Sequence, residues 1–168
     1  MISYKLIPII MTKVFFIIGP SSSGKTKISK FISNKLHINF LEGDDFHPKA
    51  NINMMKRGKA LSDRNRMPWI SSLNKYLVNK DQKFIVSCSA LKLKYRKHLK
   101  KNLNAKFIYP KTSYRVLRKR SFNRKHFFNP RQTLNQYKNF EKKGLLIVFN
   151  NYNFNGVVDK IILKIQKN

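Results

Sequence analysis

The feature that most constrains the fold of this chain is a glycine-rich stretch between an apolar run and a helical pattern. Residues 19–26 read Gly-Pro-Ser-Ser-Ser-Gly-Lys-Thr and fit the spacing G-x-x-x-x-G-K-[ST]. The run Val14–Ile18 before the stretch predicts a buried strand, and Lys25–Leu36 after it predicts a helix with one apolar stripe. A strand, a tight turn and a helix in this order form a phosphate-binding loop, because backbone N–H groups converge there with the positive end of the helix. The sequence therefore predicts a nucleoside triphosphate site.

The residue types in this loop suit that chemistry. Lys25 is expected to reach the β- and γ-phosphates, and the Thr26 hydroxyl is expected to help hold Mg²⁺. Gly19 and Gly24 stand where a side chain would strain the loop or keep the phosphate away. We therefore expect ATP to bind along the whole loop, at Gly19, Pro20, Ser21, Ser22, Ser23, Gly24, Lys25 and Thr26.

The net charge of the chain is strongly positive. Its 168 residues contain 36 Lys and Arg against 7 Asp and Glu, which gives a formal net charge of +29. Such a balance raises nucleic-acid binding as a hypothesis. The cations, however, are spread over almost every segment together with many Asn and Ile residues, as a drift toward A/T-rich codons would also produce. We favour that drift over attraction of an anionic substrate, and we do not expect nucleic acid as a partner.

Length and cysteine content indicate a single cytoplasmic domain. A chain of this size with 42% hydrophobic residues can bury one core, so we expect one domain over 1–168, with 1–13 as an N-terminal extension. The single cysteine, Cys88, excludes an internal disulfide framework and suits a reducing compartment. The apolar patch at 6–11 is too short to span a membrane and lacks a signal-peptide cleavage site. Met11 is an alternative start.

Strand and helix patterns alternate along the chain. Besides Val14–Ile18, strands are predicted at 39–41, 84–86, 107–109 and 145–149, with Pro110 ending the fourth. Besides Lys25–Leu36, helices are predicted at 48–56, 67–79, 92–102, 113–120, 130–140 and 156–166, with a loop at 61–66. This alternation predicts a parallel sheet covered by helices on both faces, an α/β sandwich.

An acidic turn follows the second predicted strand. Glu42, Asp44 and Asp45 are three of only seven acidic residues in the chain, and they stand one strand away from the phosphate loop. In open α/β sheets, ligands bind at the carboxyl ends of the strands. The clustering therefore points to chemistry, although a turn that merely caps the next helix is the alternative.

A second candidate segment lies at about 121–128, between two predicted helices. It is rich in Arg, Lys and aromatic residues, and a flap of this composition could close over phosphates as a lid. A solvated basic turn is the alternative interpretation.

Three selective motifs accompany the loop. They are H-P-x-x-N-I at 47–52, D-x-x-R-x-P-W at 63–69 and C-S-A-L-K-x-x-Y-R at 88–96, and Arg124-x-His126-Phe127 follows them. In this order, over about residues 14–166, the set resembles the gluconate kinases of the small P-loop type. The resemblance implies a P-loop NTPase fold related to shikimate and nucleoside-monophosphate kinases, with three α/β/α layers, five parallel strands and a helical lid. It also implies transfer of the ATP γ-phosphate to the 6-hydroxyl of D-gluconate in sugar-acid catabolism, by an enzyme that is commonly a homodimer.

The resemblance also implies roles for individual residues. Lys25, Asp44 and Arg124 are the expected catalytic residues, with Asp44 as the base that accepts the hydroxyl proton and Arg124 as a lid residue that meets the transferring phosphoryl group. Mg²⁺ is expected at Thr26 and Glu42, and Arg120 is expected on the nucleotide. Because gluconate carries a carboxylate and several hydroxyls, its pocket needs cations and polar groups. The candidates for that pocket are Asp44, His47, Arg66, Lys92, Arg96 and His126.

The chain departs from the family pattern in three places. Glu42 stands where the family has Asp, Asn65 replaces a carboxylate, and 141–144 is shorter than its counterpart. These differences bear on catalytic efficiency more than on reaction type. Two rival interpretations stay open: the same fold with another acceptor, such as shikimate or a nucleoside, and a basic nucleic-acid-binding protein with an idle loop.

Overall fold

Five parallel strands form the centre of the structure, a computed structural model that describes residues 12–123, 130–149 and 153–167. The strands run in the order β2-β3-β1-β4-β5 across the sheet. Their bounds are Val14–Ile18 (β1), Asn39–Glu42 (β2), Phe84–Cys88 (β3), Ala105–Lys111 (β4) and Leu146–Phe149 (β5). The central strand β1 pairs with β3 on one side and with β4 on the other. The carboxyl ends of β1, β2 and β3 therefore meet at one edge of the sheet.

Helices cover both faces of this sheet. Their bounds are Lys25–Leu36 (α1), Lys49–Lys56 (α2), Asp63–Val78 (α3), Leu93–Leu99 (α4), Tyr114–Phe122 (α5), Pro130–Lys138 (α6) and Phe154–Gln166 (α7). A short 3₁₀ turn, Gly43–Phe46, joins β2 to the segment before α2. Within the described residues, none of the helices combines the length and apolar composition that crossing a membrane requires.

Strand β1 explains why the sheet has two cores. All five of its residues are buried, and they alternate between the two faces. Phe16 belongs to the core shared with α3 and α4, whereas Ile17 belongs to the core shared with α1 and α7. The expected three-layer α/β/α sandwich with five parallel strands is confirmed. Most of the expected lid at about 121–128, from residue 124 onward, lies outside the described residues.

Strand β4 corrects one sequence-based boundary. It continues through Pro110 to Lys111, so the prediction that Pro110 ends it is wrong. Proline lacks a backbone N–H, and a central strand needs its N–H groups to donate to the strands on both of its sides. Pairing between β1 and β4 stops at Ile108, however, and Pro110 pairs only with Val148 of β5. The missing donor therefore falls beyond the doubly paired part of the strand.

Helix α3 corrects a second boundary. It begins at Asp63, so most of the predicted loop at 61–66 belongs to its first turn and to its cap. Ser62 Oγ accepts a hydrogen bond from Asn65 N at 3.2 Å, and Asn65 Oδ1 accepts one from Ser62 N at 3.1 Å. This reciprocal pair is a capping box with Asn in place of the usual Glu or Gln. Asn65, a departure from the family pattern, thus has a structural role.

Candidate active site

A cleft of about 570 Å³ lies at the carboxyl ends of the strands. Loop residues Ser21, Ser22, Lys25 and Thr26 line one part of it. The acidic turn and the segment after it supply Glu42, Asp44, Asp45 and His47, and the cap and first turn of α3 supply Leu61 and Arg66. Phosphate loop, acidic turn and candidate acceptor residues are therefore brought into one cavity.

The loop has the geometry that phosphate binding requires. Gly24 has φ +85°, a left-handed conformation that favours glycine, and it immediately precedes α1. Ser23 N donates to Pro20 O at 3.3 Å, which closes a tight turn. The first N–H groups of α1 have no partner within the helix and converge on the end of this turn. Lys25 is only 9% exposed, with its side chain in the cleft.

Thr26 and Glu42 form the candidate metal centre. Thr26 Oγ1 donates to Glu42 Oε2 at 2.9 Å and lies 3.2 Å from Ser87 Oγ. Within the described part of the chain, the buried Glu42 Oε1 has no hydrogen-bond partner. Burial, followed by the charge of Asp44, raises the pKa of Glu42. A hydroxyl oxygen beside an unpartnered carboxylate oxygen is a donor set that fits Mg²⁺.

That centre depends on nucleotide oxygens to be complete. No group of three or more His, Cys, Asp or Glu suited to a metal occurs among the described residues. Mg²⁺ in phosphoryl-transfer sites is usually bound by one or two protein oxygens, with phosphates and water as its other ligands. The pair Thr26 and Glu42 matches that pattern.

The acidic turn is fixed by a close backbone approach. A Cβ on Gly43 would lie 2.8 Å from the Ser87 carbonyl oxygen, so only glycine fits there without a shift. Trp69 Nε1 donates to Gly43 O at 2.6 Å. Beyond this point, Ser89 Oγ donates to Asp44 Oδ1 at 2.9 Å. Asp44 is thereby held toward the cleft by a residue, Ser89, to which we assigned no role from sequence.

His47 is buried against the same indole. Its ring stacks on Trp69 with centroids 4.0 Å apart, and Asn51 Nδ2 lies 3.2 Å from His47 Nδ1. Because the amide nitrogen donates, Nδ1 accepts and Nε2 carries the proton of the neutral ring. Burial lowers the pKa of His47 to about 4, and the opposing charge of Asp44 does not restore it. His47 is therefore neutral at physiological pH and has an N–H on Nε2 that can donate a hydrogen bond.

Substitution of His47 by Gln should change how stability depends on pH. Between pH 6.5 and about 4 the unfolded chain binds a proton at this position that the folded chain does not. The free energy of unfolding should therefore fall with decreasing pH by about 3 kcal/mol more in the wild type than in His47→Gln. Urea denaturation at a series of pH values measures this, and parallel curves for the two proteins would contradict it.

Arg66 lies in the cleft, whereas Lys92 is turned away from it. Arg66 Nε donates to Leu61 O at 3.3 Å, and its guanidinium lies 6.0 Å from the centre of the Tyr95 ring. Lys92 Nζ forms an ion pair with Asp63 at 2.9 Å, and Lys94 and the Tyr95 hydroxyl also bind that carboxylate. Lys92 is therefore engaged at the junction of α3 and α4, and its expected place in the acceptor pocket stays a prediction.

Arg96 also differs from the expectation. It is 2% exposed, and it does not line the cleft. Its guanidinium donates to four carbonyl oxygens, those of Ala90, Leu91, Glu141 and Lys143, at 2.6–3.0 Å. Arg96 therefore joins the start of α4 to the segment before β5, which favours a structural role over the substrate contact expected from sequence.

Substitution of Arg96 by Met should reduce stability and leave substrate affinity unchanged. Loss of the guanidinium leaves four carbonyl groups without this donor, so the free energy of unfolding should fall by about 2–4 kcal/mol. Lys97→Met, at an exposed position on the same helix, is the control and should change it little. Denaturation and the KM for acceptor would be measured together. A large rise in the KM for acceptor at unchanged stability would show instead that Arg96 binds the substrate.

Of the three remaining predicted site residues, one lies beside the phosphate loop and two lie in the segment 124–129, outside the described residues. Arg120, at the end of α5, has a guanidinium nitrogen 3.6 Å from where a Cβ on Gly24 would stand, which is consistent with its expected nucleotide contact. Arg124 and His126 lie outside the described residues, so their roles stay predictions.

Sequence reasoning missed several residues that line the cleft. They are Lys59 in the connection between α2 and α3 and three carboxamide residues of α6, namely Gln132, Asn135 and Gln136. In the sequence, only the i, i+3, i+4 spacing of these three α6 residues indicated that their carboxamides share one helix face. Such spacing has no chemical meaning until the helix is known to face the loop.

Comparison with known proteins connects this geometry to a family. The chain is 34% identical over 164 residues to thermoresistant gluconokinase of Escherichia coli (strain K12), a match that covers 92% of this chain and 94% of the relative. A crystal structure of a gluconokinase from Sinorhizobium meliloti 1021 superimposes with a TM-score of 0.82 and 26% identity, covering 93% and 92% of the two chains. No family model matches the chain.

A more distant structure supports the fold alone. Shikimate kinase from Bacteroides thetaiotaomicron superimposes with a TM-score of 0.66 at 14% identity, over 93% of this chain and 99% of that one. The same fold is thus found in a shikimate kinase. The identity and near-complete coverage of the Escherichia coli relative are decisive for the narrower assignment: the chain belongs to the gluconokinase family.

Proposed function

We propose that this protein transfers the γ-phosphate of ATP to the 6-hydroxyl of D-gluconate, giving 6-phosphogluconate and ADP. The observation that supports this is one cleft in which a phosphate loop faces a fixed carboxylate, Asp44, and a cationic wall, in a chain of the gluconokinase family. A cytoplasmic enzyme that works as a homodimer in carbohydrate metabolism remains the expectation from the family.

The loop supplies positioning and charge neutralisation. Phosphoryl transfer passes through a loose transition state, so the protein contributes mainly by holding the phosphates and stabilising their charge. The loop amides and the Lys25 ammonium would hold the β- and γ-phosphates, and Arg120 would support the nucleotide beside Gly24. Mg²⁺ held by Thr26 and Glu42 would neutralise charge on the phosphate oxygens.

Asp44 is the base of this proposal. Ser89 occupies its Oδ1, so the hydroxyl proton of the acceptor would pass to Oδ2 as the acceptor oxygen attacks the γ-phosphorus. His47, with its proton on Nε2, would donate to an acceptor hydroxyl. The gluconate carboxylate would be bound by Arg66, the natural bidentate partner, with Lys59 on the same wall.

An assay of ADP release with a panel of acceptors tests this function. We expect turnover with ATP and gluconate, little with shikimate or nucleosides, and a fall of about a thousandfold or more in Lys25→Ala, the scale on which electrostatic clamps act. Product analysis would locate the phosphate on the 6-oxygen. If turnover is higher with another acceptor, that acceptor and not gluconate is the substrate. Activity of Lys25→Ala near wild type would exclude this loop as the catalytic phosphate site.

Substitution of Asp44 by Asn separates the base from the nucleotide site. The change keeps the shape of the side chain and removes its basicity, so kcat with gluconate should fall by about 10²–10⁴. The lower end of that range is expected, because little proton transfer has occurred in a loose transition state. Binding of an ATP analogue should persist, and Asp45→Asn, at the exposed neighbouring carboxylate, should have a much smaller effect. Unchanged kcat in Asp44→Asn would reduce Asp44 to a turn residue.

A further inference from the structure

Two glutamines on α6 contact opposite walls of the cleft. Gln136 Oε1 accepts a hydrogen bond from the backbone N–H of Ser21, in the phosphate loop, at 2.7 Å. Gln132 Nε2 donates to the carbonyl oxygen of Gly58, just beyond the end of α2, at 2.7 Å. The two residues are four apart and therefore lie one turn from each other on the same helix face. Helix α6 thus links the nucleotide wall to the acceptor wall.

The contact of Gln136 leaves the phosphate-binding end of the loop open. The N–H groups that receive a phosphate at a helix N-terminus belong to the first turn of α1 and to the residue before it. Ser21 lies three residues before Gly24, on the limb of the loop that comes from β1. Ser22, which follows Ser21 in the turn, has φ +64°, a backbone conformation that costs free energy for a residue other than glycine. A fixed acceptor for Ser21 N–H helps hold the loop in that shape before ATP binds.

The contact of Gln132 acts on the acceptor wall. Gly58 has φ +72° and reverses the chain after α2, and the next residue, Lys59, lines the cleft. Gly58 N donates to Met55 O at 3.0 Å and Lys59 N donates to Met54 O at 2.9 Å, which ties the turn to α2, and Gln132 adds a tie to α6. The hydrogen bond from Gln132 is therefore a restraint on the backbone that presents Lys59 to the acceptor.

The helix itself is anchored by other contacts. Tyr137 packs on Tyr114 of α5 with ring centroids 5.5 Å apart. Just beyond α6, Glu141 N donates to Leu91 O at 3.1 Å, and Glu141 Oε2 accepts from Leu93 N at 2.6 Å. Loss of either glutamine contact should therefore leave α6 in place and affect the wall that it touches.

We propose that Gln136 and Gln132 are positioning residues with separate targets. Gln136 holds the phosphate loop in its binding conformation, and Gln132 holds the turn that carries Lys59 toward the acceptor. The second half of this inference rests on the proposed function, because it requires gluconate as the acceptor. The first half requires only that the loop binds a nucleotide.

The test is a crossed comparison of two matched substitutions. Gln136→Met and Gln132→Met keep an unbranched side chain of similar length and remove the hydrogen bond. We expect Gln136→Met to raise the KM for ATP about three- to tenfold with the KM for gluconate unchanged, the effect of one partly buried hydrogen bond. Gln132→Met should raise the KM for gluconate about two- to fivefold and leave that for ATP unchanged, because its contact is more exposed. Gln166→Met, at an exposed position near the end of α7, is the control and should change neither.

A rescue variant and a binding measurement complete the experiment. Gln136→Glu keeps an acceptor oxygen for Ser21 N–H, so binding of a non-hydrolysable ATP analogue should be close to wild type at an ionic strength that screens the added charge. This variant also serves if Gln136→Met does not fold. Titration calorimetry with the analogue gives this result without any acceptor.

The outcomes separate the inference from the proposed function. Equal shifts of both KM values, or a loss of thermal stability with both KM values unchanged, would overturn the inference and reduce the glutamines to structural residues. Wild-type protein that binds the analogue but does not phosphorylate gluconate would overturn the proposed function and the acceptor half. Weaker analogue binding by Gln136→Met would still support the nucleotide half.

Discussion

The indole of Trp69 holds together the part of the molecule on which the chemistry depends. Its N–H binds the carbonyl of Gly43, and its face stacks on His47, so one buried side chain fixes both ends of the acidic turn. Trp69 is fully buried in the core beneath the sheet. The position of Asp44 relative to the phosphate loop is thereby tied to the packing of α3 on the sheet. A base and a phosphate site must be held to within a fraction of an ångström, which a flexible surface loop cannot provide.

The small number of acidic residues sharpens their assignment. Among the described residues, the ion pairs of the chain involve Asp63, Asp81 and Asp159, outside the cleft. Glu42 and Asp44 instead interact with the hydroxyls of Thr26 and Ser89, which orient a carboxylate without neutralising it. In a chain of net charge +29, this arrangement leaves carboxylates without a cationic side-chain partner where the proposed reaction would receive a divalent cation and a hydroxyl proton.

The departures from the family pattern have structural consequences that can be stated residue by residue. Glu42 is one methylene longer than Asp, and its carboxylate nevertheless contacts the Thr26 hydroxyl, so the candidate metal centre keeps both of its protein ligands. Asn65 caps α3, and its carbonyl accepts from Asn51, which in turn contacts His47. The Asn65 side chain thus serves the helix cap, and the backbone carbonyl of the same residue supports Asn51 beside His47.

The sequence by itself determined the features that depend on local chemistry. Strand β1, the phosphate loop and α1 were predicted with their observed bounds, because an apolar run, a glycine turn and an amphipathic repeat act over a few residues. The alternation of elements likewise predicted the three layers, since a parallel sheet must bury both faces. Sequence patterns also identified Lys25, Thr26, Glu42 and Asp44 as candidates, because their motifs are short and follow two strands that are consecutive along the chain.

Only the tertiary structure decided which cations serve the site and which serve the fold. Arg96 binds carbonyls 45 and 47 residues away, and Gln136 binds an amide 115 residues away. Motif position suggested a substrate role for Arg96 and Lys92, whereas the burial of Arg96 and the ion pair of Lys92 with Asp63 favour structural roles. A side chain's role depends on which groups compete for its hydrogen bonds, and those groups come together only when distant segments pack.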